Sequence, residues 1–198
     1  MIIIGITGPT GAGKTTALNE LEKLGGVLID CDAVYHGLLR DDKTLRDELE
    51  NRFGVLTDEN GVFDRKKLGA VVFNDPAALA DLNAIAHRHI VSAVKNILAQ
   101  AEHNGAPAAA VDAIALFESG LADLCHDTVA ITAPAEIRVE RIMAREGISR
   151  EYAQSRVNAQ NPEEFFTERC RHTLRNDCAT AAEFAARAHT LFSAILSR

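Results

Sequence analysis

Residues 8 to 15 read Gly-Pro-Thr-Gly-Ala-Gly-Lys-Thr, a complete G-x-x-x-x-G-K-[ST] pattern. A phosphate-binding loop of this kind sits between a strand and a helix, where backbone N–H groups and the helix dipole converge on one point. Both flanks are present. Ile2-Ile3-Ile4-Gly5-Ile6-Thr7 reads as a short buried strand. From Thr16 to Leu24, Ala17, Leu18, Leu21 and Leu24 recur at helical spacing. Gly8, Gly11 and Gly13 let the backbone turn its amides inward. Lys14 supplies a mobile cation for the β- and γ-phosphates, and the Thr15 hydroxyl can hold Mg²⁺. The expected nucleotide cradle is Gly11, Ala12, Gly13, Lys14, Thr15 and Thr16.

The remaining strand candidates are short apolar runs separated by helical stretches, which predicts a parallel α/β sheet. They are Val27 to Asp30, Ala108 to Ala113, Thr128 to Thr132 and a weaker run, His172 to Arg175. A helix follows, with Thr180 as its cap and Ala181, Phe184, Ala185, Ala188, Leu191, Phe192 and Ile195 on its apolar side. A chain of 198 residues, 47% hydrophobic, suits one domain with inserted subdomains. The expected fold is a three-layer α/β nucleotide-binding core of about five parallel strands, formed by residues 1–33, 106–135 and 172–198.

The formal charge of −7 argues against a nucleic-acid partner. No apolar run approaches the ~18 residues of a membrane span. Met1 leads into the first strand without a basic leader, so the expectation is a cytoplasmic protein with no membrane partner. Cys31, Cys125, Cys170 and Cys178 contain no C-x-x-C pair and read as free thiols.

Two segments exceed what sheet crossovers require. Residues 34–105 read as helical, in stretches Val34 to Leu39, Lys43 to Phe53, Arg65 to Phe73 and Pro76 to Gln100, broken by the turn Asp58-Glu59-Asn60-Gly61. This insertion is expected to bind an acceptor. Residues 136–171 are rich in arginine for an acidic chain. Most of these arginines can be surface partners of nearby glutamates. The alternative is a lid that closes over phosphates, since arginine forks match phosphoryl oxygens. Arg138, Arg141 and Arg145 share three- and four-residue spacing, so one helix face can present all three toward the loop.

Carboxylates mark the strand ends that line the crevice of an open parallel sheet. Asp32, with Asp30 beside it, ends the second strand and can accept a proton from an attacking hydroxyl; Asp30 can instead cap or orient. Asp112 ends the third strand, where a Walker B aspartate reaches Mg²⁺. Leu116-Phe117-Glu118 follows and is either part of the site or a loop packed over the sheet. His87 lies in a helical stretch with His89 close behind, a setting in which histidine is usually structural.

Taken together, these features resemble the dephospho-coenzyme A kinase family over nearly the whole chain. The resemblance rests on Gly5-Ile6-Thr7-Gly8 through Lys14-Thr15-Thr16, on Ile29-Asp30-Cys31-Asp32-Ala33, and on Gly61-Val62-Phe63-Asp64-Arg65-Lys66-Lys67-Leu68-Gly69. It continues through Leu82 to His87, Leu116-Phe117-Glu118, Arg141 to Arg145 and Arg156 to Gln160. The chain departs from the family pattern at Arg88, in place of proline, and at Ala113-Ile114-Ala115 before Leu116. The resemblance implies ATP-dependent phosphorylation of the ribose 3′-hydroxyl of dephospho-coenzyme A, with ATP and Mg²⁺ required, by a monomer or weak homo-oligomer. It implies Asp32 as general base, Lys14 as phosphate ligand, Arg141 as a lid arginine and Thr15 as metal ligand. It also places Asn176 on the nucleotide side, with His87, Leu116, Phe117 and Glu118 toward the acceptor. A nucleoside-monophosphate-type kinase with another acceptor and a nucleotide-dependent switch are the competing readings.

Overall fold

The computed structural model describes residues 1–58 and 62–198. Among these, five strands form one parallel sheet in the order β2-β3-β1-β4-β5: β1 (Ile2–Thr7), β2 (Val27–Asp30), β3 (Ala108–Asp112), β4 (Asp127–Thr132) and β5 (His172–Arg175). The five-stranded α/β core is the expected one. The connection leaving β1 passes beyond β3 to reach β2, and the connection leaving β3 passes beyond β1 to reach β4. The two neighbouring strands thus send their chains in opposite directions and open a crevice at their C-terminal ends. Register aligns that edge: Ile6 and Asp30 both lie beside Asp112.

The sheet is buried on both faces, which lets a run such as Ala108-Ala109-Ala110-Val111 serve as a central strand despite its poor intrinsic strand preference. On one face, Ile4, Ile6, Val129 and Ile131 meet Ala17, Leu18 and Leu21 of α1 (Lys14–Lys23) and Phe184, Phe192 and Ile195 of α9 (Ala181–Leu196). On the other, Ile29, Ala109 and Val111 meet Val94 and Leu98 of α5 (Pro76–His103) and Leu116 and Leu121 of the segment after β3. Gly5 in β1 is required by close approach: a Cβ there would stand 2.8 Å from Leu116 Cδ2.

The helical insertion contains α2 (Cys31–Asp41), α3 (Lys43–Phe53), α4 (Arg65–Val72) and the first half of α5. Leu39, Leu45, Leu49, Leu56, Leu68, Val72 and Ala78 form its own core. Four aspartates, Asp30, Asp42, Asp64 and Asp75, start these helices by accepting two backbone N–H bonds each. His89 ties α5 to the α2–α3 junction, with Nδ1 3.1 Å from Asp42 Oδ2 and Nε2 3.3 Å from Glu48 Oε1. The 28-residue α5 belongs to both cores, because its second half covers β2 and β3.

After β4 come α6 (Ala135–Glu146), α7 (Arg150–Asn158) and α8 (Glu163–Thr167). Val139, Ile142, Ala153 and Val157 form a small separate cluster between α6 and α7.

Several expected boundaries shift. The helix expected from Val34 starts at Cys31, because Asp30 caps it directly at the strand end. Asp32 therefore lies in the first turn of α2 rather than on the strand. β3 stops at Asp112, leaving Ala113 outside it, and β4 starts at Asp127, one residue before Thr128. Thr180 caps α9 as expected, accepting from the Glu183 N–H, but Ala181 is exposed. Residues 59–61 of the turn expected at Asp58 to Gly61, and with them the first residue of the Gly61 to Gly69 motif, lie outside those described.

Candidate functional site

Helix α1 begins at Lys14 with Gly13 as its N-cap and no side-chain cap. Its first amides are left for an anion, where the helix dipole also favours negative charge. Two glycines fix the loop against its surroundings. Gly8 has φ 144, and a Cβ there would lie 2.0 Å from the Ile131 carbonyl oxygen. Gly13 has φ 104, and a Cβ would lie 2.3 Å from Asn176 Nδ2. Lys14 folds over the loop, its Nζ donating to the Gly8 carbonyl at 2.9 Å.

The arginines of α6 divide. Arg138 is buried and holds the loop from outside: Nε donates to the Thr10 carbonyl at 2.9 Å, and Nη2 donates to Gln160. Gln160 also accepts from the Thr10 N–H at 3.1 Å and donates to Thr10 Oγ1 at 2.8 Å. Arg141 faces inward. Its Nη1 reaches the Gly11 and Ala12 carbonyls at 3.2 and 3.4 Å, and Nη2 donates to Asn176 Oδ1 at 3.0 Å. Burial lowers the pKa of both guanidiniums, yet arginine remains charged. The expectation that Arg138, Arg141 and Arg145 present together is corrected, because the Arg138 side chain is spent on Thr10 and Gln160. Arg156 of α7 joins Arg141 and Arg145 instead.

These groups enclose a cavity of about 460 Å³ above the loop. Lys14, Thr15, Arg141, Arg145 and Arg156 line it, facing the carboxylates Asp30, Asp32 and Asp112. Burial pushes Asp112 up to about 6, with Asp30 and Asp32 adding to the rise and Lys14 opposing it. Asp30 is occupied as a cap, its Oδ1 accepting from the Asp32 and Ala33 N–H groups at 2.9 and 3.0 Å. The Asp32 carboxylate is exposed to the cavity.

A second cavity of about 200 Å³ adjoins the first and shares Asp32, Ala113 and Ile114 with it. Its walls are mainly apolar, from Tyr35, Leu82, Ala86 and Ile90, with His87 at one side. Burial lowers the His87 pKa, so the ring is neutral at pH 7. Cys31 also lines this cavity, but burial pushes its thiol up to about 12 and leaves it inert.

The Leu116-Phe117-Glu118 stretch separates into different roles. Leu116 is fully buried and lines neither cavity, so its expected place at the acceptor is corrected to a place in the core. Phe117 packs against the same core. Glu118 is exposed and pairs with Arg169 at 2.7 Å. Asn176, expected on the nucleotide side, is buried and donates through Nδ2 to the Ala12 carbonyl at 2.9 Å. Most remaining arginines form the expected exposed pairs, such as Arg150 with Glu136 and Arg175 with Glu163. The sequence marks Ile114 only as part of a departure from the family pattern and gives it no site role, yet it borders both cavities; an apolar residue after a strand carries no signal of its own.

Among the described residues no group of three or more His, Cys, Asp or Glu side chains forms a metal cage. Mg²⁺ keeps waters and takes only one or two protein ligands beside substrate phosphates. Thr15 and the raised Asp112 fit this donor set, since a nearby cation relieves the crowding of carboxylates. No helix among the described residues is long and apolar enough to cross a membrane.

The sequence profile of the family described as dephospho-CoA kinase matches residues 2–182. A dephospho-CoA kinase from Dehalococcoides mccartyi is 35% identical over 179 residues, covering 90% of each chain. A crystal structure from Thermus thermophilus superimposes with a TM-score of 0.80 at 35% identity, covering 98% of this chain and 97% of the other. A dephospho-CoA kinase from Campylobacter jejuni, 22% identical, shares the fold with a TM-score of 0.62 over 98% of this chain and 96% of its own.

Proposed function

The chain belongs to the dephospho-CoA kinase family, and from that premise we infer that it phosphorylates dephospho-coenzyme A at the expense of ATP to give coenzyme A, with the ribose 3′-hydroxyl as acceptor. The observation that carries this reading is Asp32, which stands in the shared wall of the polar cavity above the phosphate loop and an apolar cavity. A base placed there can meet a hydroxyl presented from one side and a phosphoryl group presented from the other.

In this reading the loop amides and Lys14 hold the triphosphate, and Asp32 takes the proton from the attacking hydroxyl. Arg141, braced on the Gly11 and Ala12 carbonyls, faces the charge that spreads over the transferring phosphoryl oxygens. Thr15 and Asp112 would hold Mg²⁺, which when bound neutralises phosphate charge. His87, neutral, and the apolar walls of the smaller cavity receive the acceptor. Excluding water matters here, because water is the competing nucleophile. A cytoplasmic monomer or weak homo-oligomer completes the reading.

The test is direct. Purified protein with ATP, Mg²⁺ and dephospho-coenzyme A yields coenzyme A, followed by chromatography of the product. Nucleotide binding without that product, while another hydroxyl or nucleotide acceptor is phosphorylated, overturns the acceptor assignment.

A further inference from the structure

Arg145 belongs to α6 and Arg156 to α7, yet both guanidiniums end on a single carboxylate. Arg145 Nη2 lies 2.6 Å from Glu146 Oε1, and Arg156 Nη1 pairs with Oε2 of the same group. Both arginines line the cavity above the phosphate loop, and Glu146 does not. Glu146 is the last residue of α6, and Gly147, at φ 66, ends that helix. The carboxylate therefore joins the two helices from outside the cavity wall, while its two partners are part of that wall.

The charge balance is uneven. Two guanidiniums held on one carboxylate at the wall of one cavity repel each other. One carboxylate can neutralise only half of their charge. The arginines hold its carboxyl below the usual carboxylate range, Arg145 by hydrogen bonding first and Arg156 adding to it. A polyphosphate offers several charged oxygens in the geometry that guanidinium forks prefer. It is the stronger partner for both side chains. The contrast with Arg141 is instructive, since that residue is anchored on backbone carbonyls and on Asn176, with no carboxylate to leave.

We propose that Glu146 is the resident counter-ion of Arg145 and Arg156, a positioning residue that keeps the pair in the cavity wall and yields them to the nucleotide's phosphates on binding. The exchange has a consequence for turnover. Because the phosphates must displace Glu146, nucleotide affinity is held below what the arginines alone would give, and ADP leaves faster. The proposal rests on this cavity being the nucleotide site, and it is independent of which acceptor is used.

The test compares Glu146→Gln, which keeps size and one acceptor oxygen but removes the charge, with Glu136→Gln. The second variant removes the same charge from the Arg150 pair, away from the cavity lining. By calorimetry, Glu146→Gln binds inorganic tripolyphosphate and ADP about two- to five-fold more tightly than wild type, as expected for loss of one exposed competing ion pair. Its KM for ATP falls in parallel. Glu136→Gln leaves both values unchanged. Glu146→Ser serves as a second variant with the same expected direction, and melting temperatures are recorded for each. A residue that merely staples two helices gives lower stability with equal or weaker affinity, and that result overturns the proposal. A wild-type protein that binds neither tripolyphosphate nor ADP overturns it together with the assignment of the cavity. Tighter polyphosphate binding without coenzyme A production would leave Glu146 in place and remove only the acceptor.

Discussion

Arg141 and Asn176 form one brace on the phosphate loop: Arg141 Nη2 donates to Asn176 Oδ1 at 3.0 Å, and Asn176 Nδ2 donates to the Ala12 carbonyl at 2.9 Å. Asn176 is only 4% exposed, so its amide is committed to holding other groups in place. Asn176→Ala leaves Arg141 loosely held and opens space beside Gly13. Losing a buried hydrogen-bond pair costs about 1–3 kcal/mol of stability, and about 1.4 kcal/mol of that falling on the nucleotide-bound state gives a roughly ten-fold loss in ATP affinity. Calorimetric titration with ATP and a thermal melt check this, and wild-type affinity in the variant contradicts it.

Asp30 and Asp32 are neighbours with separable duties. Asp30→Asn keeps an N-cap acceptor and should retain most stability and turnover. Asp30→Ala loses the cap, costs about 1 kcal/mol and loosens the turn that presents Asp32. Asp32→Asn lowers turnover by about 10²–10⁴-fold with nucleotide affinity nearly unchanged. Steady-state kinetics alongside ATP titration separate the three variants; equal losses for Asp30→Asn and Asp32→Asn would remove the distinction.

The raised Asp112 makes a pH prediction. Burial pushes its carboxyl up to about 6, so between roughly pH 4 and pH 6 the folded chain binds more protons than the unfolded one. Stability from this group is complete below that window and is lost as pH rises through it, by about 3 kcal/mol. Asp112→Asn should raise the melting temperature of the ligand-free protein at pH 7 and flatten its dependence in this window. The proposed metal role of Asp112 needs its ionised form, and on that proposal Mg²⁺–ATP affinity in wild type rises as pH passes through about 6. Denaturation and titration across roughly pH 4 to 8 test both signs.

Leu116 tests the division between core and site. Its side chain is fully buried beside Gly5 and Cys125. Leu116→Ala should cost about 2–5 kcal/mol of stability while leaving KM for the acceptor close to wild type at low temperature. A selective rise in acceptor KM with stability intact would restore Leu116 to the site.

The loop and the sheet were legible because their physics is local. A glycine turn, a β-branched run before it and a helical spacing after it are all contiguous, and strand ends follow from short apolar runs. The carboxylates at the crevice were legible for the same reason, since topology sends C-terminal strand ends to one edge. The division of labour among arginines was not. Arg138 and Arg141 are three residues apart on one helix, but one turns to Thr10 and Gln160 while the other turns to Gly11, Ala12 and Asn176. That choice depends on partners 22 to 130 residues away in the chain, which helical spacing does not encode. Leu116 was misplaced by a motif of which two members, Leu116 and Phe117, pack into one core while Glu118 is exposed. Asp32 moved from strand to helix because one cap, Asp30, closes the gap that a loop was expected to fill.

The long α5 is a beam mortised into two separate frames. Its first half is sealed among Ala78, Leu82 and Ile85 with the insertion, and its second half among Val94, Ile97 and Leu98 beneath the strands. Neither frame can melt without pulling apolar area of the other into water. Heating should therefore give a single calorimetric transition for both, with no stage at which the insertion has collapsed while the sheet survives.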